Sequence, residues 1–241
     1  MELHLGTTPA EANAAAEERL VRWLTDPATR TVMVAAGNSP LELYRRVADR
    51  RLRLDHLQVF ALDEYVGVPL DEPRNCANLL RDAVGAAWGI PPRQFHAVSS
   101  LAADAEASIR THEARIRDAG GLDLVVLGLG QNGHLGFNEP GSAADSPGRV
   151  LELDPISTEA NRTWFAGAYA PHQGVTVGLR TVLAARHAMI LAFGPHKQRA
   201  VEAMVRGPVG PGCPASFLRD HPDAHAFLDA EAAARLPPSA D

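Results

Sequence analysis

Apolar residues gather in short unbroken runs at Thr31 to Ala35, Gln58 to Leu62, Asp123 to Leu129 and His187 to Phe193, with a late one at Ala226 to Leu228. Runs of this length, rich in branched residues and lacking polar alternation, fit strands buried on both faces. Between them, apolar positions recur at helical spacing over Glu11 to Leu24, Pro40 to Asp49, Asn75 to Trp88, Ala102 to Ala119 and Lys197 to Arg206. Strands that alternate with helices need crossover connections, and these are right-handed. The pattern therefore predicts a Rossmann-like α/β fold: a three-layer sandwich with a mostly parallel sheet covered by helices on both sides. Gly141 to Arg149 and Gly207 to Pro214 carry Gly, Pro, Ser and Asp and read as surface loops, either of which could serve as a lid. The tail from Leu236 to Asp241 is expected to fray.

With 46% hydrophobic residues, the 241-residue chain can bury one core, so residues 1–241 are read as a single domain. The net charge of −6 and the scattered arginines provide no basic face for nucleic acid. Met1 to Leu20 lacks a basic start followed by an apolar stretch, so neither a secretory signal nor a membrane span is expected and the protein is read as cytoplasmic. Cys76 and Cys213 lie far apart without metal-binding spacing, which suits free thiols in a reducing compartment.

Candidate chemistry sits where the strands end. Ala35-Ala-Gly37-Asn38-Ser39-Pro40 turns from a strand into a helix, with Ser39 as N-cap and Pro40 as first helical residue. Such a turn is either an ordinary capped start or an anion site made of free backbone N–H groups. Asp63 and Glu64 follow an apolar strand, and neighbouring side chains of an extended chain point to opposite faces, so one of the two acids faces a site. Gly128-Leu-Gly130-Gln-Asn132-Gly133-His134-Leu-Gly-Phe-Asn-Glu139 places a histidine and a carboxylate in a flexible loop beyond the longest buried run. The same loop spells G-x-G-x-x-G, but no helical pattern follows it directly and Pro140 soon interrupts, so a dinucleotide site is not supported. A zinc site competes for His134, yet no second histidine stands at ligand spacing. Lys197, in Gly194-Pro-His-Lys197, stands near a helix start where an anion would be favoured. No nucleophile elbow is present.

Taken together, these segments resemble the glucosamine-6-phosphate deaminase family, also called glucosamine-6-phosphate isomerase. The matching stretches are Gly37-Asn-Ser-Pro40, Leu62-Asp-Glu-Tyr-Val-Gly67, Gly128 to Ser142, Thr176 through Gly178 and Leu179 to Leu183, and Gly194 to Lys197. The resemblance implies an aldose-ketose isomerisation with loss of ammonia from an amino sugar phosphate, without metal or cofactor. It implies Asp63 as the base moving a proton between C2 and C1, His134 in ring opening, and Glu139 and Asn132 as orienting partners of His134. Gly37, Asn38, Ser39, Glu64, Gly130, Gly133, Arg162 and Lys197 are then expected around the substrate. Members of the family are often oligomeric, so a homo-oligomer accords with the resemblance.

Three departures stand out. Asn132 replaces an aspartate common in the family, and a neutral amide orients the ring while stabilising imidazolium less. Counting from Glu139, the family's phosphate-binding arginine falls on Thr163, with Arg162 one residue earlier; on a helix that shift turns a side chain by about 100°. Leu151 stands at a lysine position of the allosteric site found in some members, although Arg149 has a counterpart. These departures keep three alternatives open: a deaminase for a different or unphosphorylated amino sugar, a 6-phosphogluconolactonase-like lactone hydrolase, and a sugar-phosphate sensor without activity.

Overall fold

The computed structural model describes residues 1–237; the end of the predicted tail, residues 238–241, lies outside them. The first half of the chain forms β1 (Glu2–Gly6), α1 (Pro9–Thr25), β2 (Thr31–Val34), α2 (Asn38–Asp49), β3 (Gln58–Ala61), β4 (Asp63–Tyr65), α3 (Cys76–Leu80) and β5 (Phe95–His96). The second half forms α4 (Ala105–Asp118), β6 (Leu124–Gly128), β7 (Arg149–Glu152), α5 (Pro155–Trp164), β8 (Gln173–Thr176), α6 (Leu179–Leu183), β9 (His187–Ala192), α7 (Gln198–Arg206) and β10 (Ala224–Asp229). Seven strands pair in the order β1-β10-β9-β6-β2-β3-β5, and every pairing is parallel.

The predicted buried strands sit at the centre of this sheet. Val32, Val34, Leu124 and Val126 point to one face and pack with α1 and α2 residues such as Leu20, Leu24, Leu43 and Val47. Met33, Val125, Leu127 and Ile190 point to the other face and pack with Ile109, Ile116, Val182 and Met204 from α4, α6 and α7. The two clusters make the expected three layers. From β2 the chain builds outward through β3 to β5, and from β6 it builds the other way through β9 and β10, so the order reverses between β2 and β6. In sheets of this kind a ligand crevice opens beyond the carboxyl ends of the strands at that reversal.

Several elements differ from the sequence pattern. β1 escaped the prediction because it is a five-residue edge strand whose Leu3 and Leu5 face outward, leaving no buried run to read. The helix expected over Asn75 to Trp88 is α3 followed by a π-helix at Arg81–Ala86, with the Asn75 side chain accepting the Asn78 N–H as its N-cap. α2 starts at Asn38 with Gly37 as N-cap, two residues before the expected start, because Gly37 takes a φ of 121° that a residue with a side chain rarely adopts. A second sheet, antiparallel in the order β4-β8-β7, was absent from the prediction. Its strands are three or four residues long, and β4 begins one residue after β3 ends.

Leu62 is that one residue. Its N–H donates to Val34 O in the large sheet and its carbonyl accepts from Val177 N beside the small one, both at 3.0 Å. Nearby, the buried Tyr44 hydroxyl donates to Ala35 O at 3.0 Å, and Trp88 Nε1 donates to Tyr44 O at 3.0 Å, which ties α2 to the end of β2. Tyr44→Phe orphans the Ala35 carbonyl and is expected to lower the unfolding free energy by about 1–2 kcal/mol, checked by urea denaturation; an unchanged midpoint would remove this anchor from the account.

Candidate functional site

A cavity of about 380 Å³ opens at the reversal of strand order. One wall is Ala35 to Pro40, from the end of β2 and the start of α2; a second is Gly128 to Gln131 with His134, beyond β6. Asp63 and Tyr65 of β4, Cys76 of α3, one face of α5 from Ile156 to Trp164, and His196 with Lys197 before α7 complete it. Neither Gly141 to Arg149 nor Gly207 to Pro214 lines the cavity, so the lid expected in one of those loops is not placed there. Gly141 N instead donates to Pro211 O, fastening the two loops to each other.

The His134 loop is a tight reversal. Gly130 N donates to His134 O at 3.1 Å and Gly133 N to Gly130 O at 3.0 Å, which folds the imidazole back over Gly130. A Cβ on Gly130 would lie 2.2 Å from His134 Cδ2, so only glycine leaves the ring where it is. His134 Nδ1 lies 3.1 Å from Glu139 Oε2, and the same oxygen accepts from Asn132 Nδ2 at 2.7 Å. Asn132 Oδ1 in turn accepts the His134 N–H at 3.2 Å. With Nδ1 committed to the carboxylate, the free tautomer position is Nε2, which has no hydrogen-bond partner among the described residues. Burial alone would raise the Glu139 carboxyl, but the hydrogen bond and charge of His134, with help from Ser157 and Asn132, hold it below its usual range. Glu139 and Asn132 thus stand behind the histidine rather than on the cavity wall.

Asp63 and Glu64 separate as the strand alternation requires. Asp63 lines the cavity, and burial, aided by the neighbouring Glu64 charge, pushes its carboxyl up to about 7. Glu64 turns away and is 1% exposed; it accepts from the N–H groups of Tyr65, Cys76 and Ala77 at 2.8, 3.0 and 2.8 Å. The expectation that Glu64 contacts substrate is corrected: it receives the N-terminal N–H groups of α3 and presents Asp63. Burial raises its carboxyl in spite of those donors.

The expected anion residues divide in the same way. Gly37, Asn38, Ser39, Gly130 and Lys197 line the cavity. Gly133 does not; at a φ of 88° it turns the loop against Cys213. Arg162 is exposed on the outer face of α5, 3.5 Å from Glu159, and Thr163 is exposed beside it, so neither reaches the cavity. Lys197 is the sole lysine of the chain and, among the described residues, the only lysine or arginine on the cavity wall. Its Nζ donates to Leu129 O, and burial lowers its pKa to about 8.

Sequence reasoning missed Ser157 and the α5 wall. The Ser157 Oγ lies 3.3 Å from His134 Nδ1, and Trp164 Nε1 donates to Arg74 O at 2.9 Å, which holds the far end of the helix. The readable signal was Asp154-Pro155, a capping side chain that accepts the Ile156 N–H followed by proline at the first helical position. Cys76 also lines the cavity, where burial and the Glu64 and Asp63 charges raise its thiol far above the range of a nucleophile.

The model of the family described as glucosamine-6-phosphate isomerases/6-phosphogluconolactonase matches residues 7–226. This chain belongs to that family. Within it, the glucosamine-6-phosphate deaminase of Corynebacterium kroppenstedtii is 36% identical over 241 residues, covering 98% of this chain and 93% of that one. The solved structure of a monomeric glucosamine-6-phosphate deaminase superposes with a TM-score of 0.92 at 28% identity, over 97% of this chain and 99% of that one. The 6-phosphogluconolactonase of Trypanosoma cruzi shares the fold of the family member described here, with a TM-score of 0.80 at 23% identity over 98% of this chain and 96% of that one. Among the described residues of this family member, no helix is long and apolar enough to cross a membrane.

The raised Asp63 pKa makes a stability prediction. Below about pH 4 the folded and unfolded chains both hold this proton; between about 4 and 7 the unfolded chain releases it first, so stability falls as pH rises through that window and the deficit persists above 7. Asp63→Asn is therefore expected to be more stable than the parent at pH 8, by up to about 4 kcal/mol for a shift of this size, and to lose that advantage near pH 4. Urea midpoints at the two pH values check this; the same difference at both would refute a burial cost for the ionised carboxylate.

Proposed function

We propose that the chain converts glucosamine 6-phosphate to fructose 6-phosphate and ammonia. The observation that carries this reading is the convergence of a buried carboxylate near neutral pKa, a carboxylate-oriented imidazole and a buried lysine on one cavity. It is supported by the deaminase named at 36% identity over nearly the whole chain. His134, with Nδ1 held by Glu139 and Nε2 open, takes the proton of the C1 hydroxyl and returns one to the ring oxygen as the pyranose opens. Asp63, ionised, removes the proton from C2, and the electron pair forms an enolamine across C1 and C2. The same carboxyl then protonates C1. Water adds to the resulting imine at C2 and ammonia leaves, so the amino nitrogen departs without a change in overall oxidation state.

Charge that develops on the oxygen at C1 is met by fixed donors of the glycine loop, whose orientation is set before substrate arrives. The phosphate is held by the Lys197 ammonium and by the free N–H groups at the start of α2, where the helix dipole also favours an anion. Asn132 adds a hydrogen bond to Glu139 rather than a second negative charge, so His134 works beside one carboxylate. The two buried free thiols suit a reducing cytoplasm.

Ammonia release coupled to ketose formation tests the assignment, with glucosamine 6-phosphate and unphosphorylated glucosamine run side by side. The phosphate ester is expected to be the substrate, with Asp63→Asn inactive and Lys197→Met raising KM at least tenfold while changing kcat little. Turnover of free glucosamine alone would overturn the phosphate assignment, and no ammonia from either would overturn the deaminase reading in favour of lactone hydrolysis.

The pH profile carries its own signs. kcat/KM is expected to rise as pH passes about 7, where Asp63 ionises, and to fall above about 8, where Lys197 loses its charge. In Lys197→Met the alkaline limb should disappear while the acid limb remains; an unaltered alkaline limb would show that another group sets it. Gly130→Ala is expected to fold with an unchanged far-UV spectrum and to lose about 100-fold in kcat, since a displacement of the imidazole by ~1 Å suffices for that. Near-parental turnover by Gly130→Ala would show that the position of His134 over Gly130 is not used.

A further inference from the structure

At the opposite end of the central sheet from the cavity, the starts of β1, β9 and β10 bring together Glu2, His4, His187, Asp223 and His225. Glu2 pairs with His225 in the strand register, and His4 pairs with Phe227, so all four side chains share one face of the sheet. His4 Nε2 lies 2.9 Å from His225 Nδ1; one Glu2 carboxylate oxygen lies 3.4 Å from His4 Nε2 and the other 3.4 Å from His225 Nδ1. Among the described residues this is the one group of three or more histidine, cysteine or carboxylate side chains whose ligand atoms converge in this way.

The hydrogen bonding behind the cluster fixes what it offers. His225 Nε2 lies 2.7 Å from Asp223 Oδ1, and the other oxygen of Asp223 is taken by His187 Nδ1. Asp223 accepts, so the His225 proton belongs on Nε2 and a lone pair is left on Nδ1, pointing at Glu2 and His4. A carboxylate that holds the far nitrogen of a histidine is the support metal-binding imidazoles commonly have. The rings are also held by packing: His4 stacks on Phe227 with centroids 4.4 Å apart, and His225 meets the Trp23 edge at 5.4 Å. Three electron-rich atoms therefore face one another with at most one proton, from His4, to share. In a tetrahedral zinc site with bonds of about 2.0–2.1 Å, neighbouring donors stand about 3.3 Å apart; the two imidazole nitrogens, at 2.9 Å, need only part by a few tenths of an ångström, and each already has a Glu2 oxygen at 3.4 Å.

We propose that Glu2, His4 and His225 bind a divalent transition metal of the zinc type, through the carboxylate, Nε2 and Nδ1 respectively, with water completing the tetrahedron. Its role is structural. The ion fastens the exposed edge strand β1, whose Leu3 and Leu5 lie outside the core, to β10, and it is remote from the cavity. Imidazole and carboxylate donors suit zinc over calcium or magnesium, which prefer oxygen-only shells.

The test uses the full chain without a histidine tag, stripped with chelator and titrated with Zn²⁺ against a chromophoric competitor. One equivalent bound more tightly than about 1 μM is expected, with His4→Gln and Glu2→Gln each weakening it at least tenfold and His134→Gln leaving it unchanged. Co²⁺ in the same site should give the intense visible bands of a tetrahedral ion, absent in His4→Gln. Zn²⁺ should raise the thermal midpoint of the parent but not of His4→Gln, whose native circular dichroism and retained ammonia release serve as the folding control. Failure to bind an equivalent at 10 μM Zn²⁺, or parental affinity in both His4→Gln and Glu2→Gln, overturns the proposal; neither result bears on the deaminase reading, which is measured separately.

Discussion

The peptide unit at Leu62 belongs to both sheets, and the geometry of the cavity follows from that division. Its N–H completes the pairing of β3 with β2, and its carbonyl receives Val177 N from the antiparallel sheet. The chain has no residue to spare between the two, so it leaves the parallel sheet and enters the second within one step. Asp63 comes next. It is delivered to the mouth of the crevice by main-chain bonds on both sides, and side-chain preferences have little part in it. Alternation then forces Glu64 the other way, where three backbone donors of β4 and α3 receive it.

That arrangement puts two carboxylates in adjacent buried positions, which folding alone would disfavour. Burial raises the proton affinity of both, and the Glu64 charge adds to the rise at Asp63. The protein resolves the conflict unevenly. Glu64 has three N–H donors to stabilise its charge, whereas Asp63 faces the cavity with the Cys76 thiol as its near partner and stays poised around neutrality. A group with that pKa can accept a proton from carbon and return it, which a solvated aspartate near its ordinary value does poorly. In the proposed reaction the instability of one position is thus the source of its chemistry, and the hydrogen bonds of its neighbour are what make the position tolerable.

Much of this was legible in the chain, and the parts that were not share a cause. The buried strands β2, β3, β6 and β9 announce themselves because parallel strands covered on both sides need continuous apolar runs. The glycine loop with His134 and Glu139 was readable because glycines bracket a histidine and a carboxylate just beyond the longest buried run. β1 and the small sheet left no such mark: short strands that are edges or half-buried satisfy their backbones through pairing, with no demand on side-chain pattern. Glu64 looked like a second site residue because sequence shows adjacency but not which face the cavity takes. Arg162 could not be placed without knowing the phase of α5, and its phase turns that side chain to solvent beside Glu159.

In the proposed reaction the anion falls to Lys197, because Arg162 and Thr163 are both exposed away from the cavity, and the choice of residue there is informative. Of the lysine and arginine side chains in this protein, every other one is arginine. An arginine presents a wide planar fork that cannot lose its proton and is best matched by two acceptors side by side. Here the Lys197 ammonium meets a single carbonyl, Leu129 O, just beyond the end of β6. A slender stem with a rotating ammonium can donate once to the carbonyl and keep its other protons for a ligand. Desolvation already weakens the charge it carries, so an arriving phosphate restores what burial took away, and the affinity gained is largest for a ligand that brings negative charge into the cavity. The proposed reaction gives the Gly37, Asn38 and Ser39 start of α2 the matching part: with one point charge available, backbone N–H groups would supply the remaining bonds to the anion.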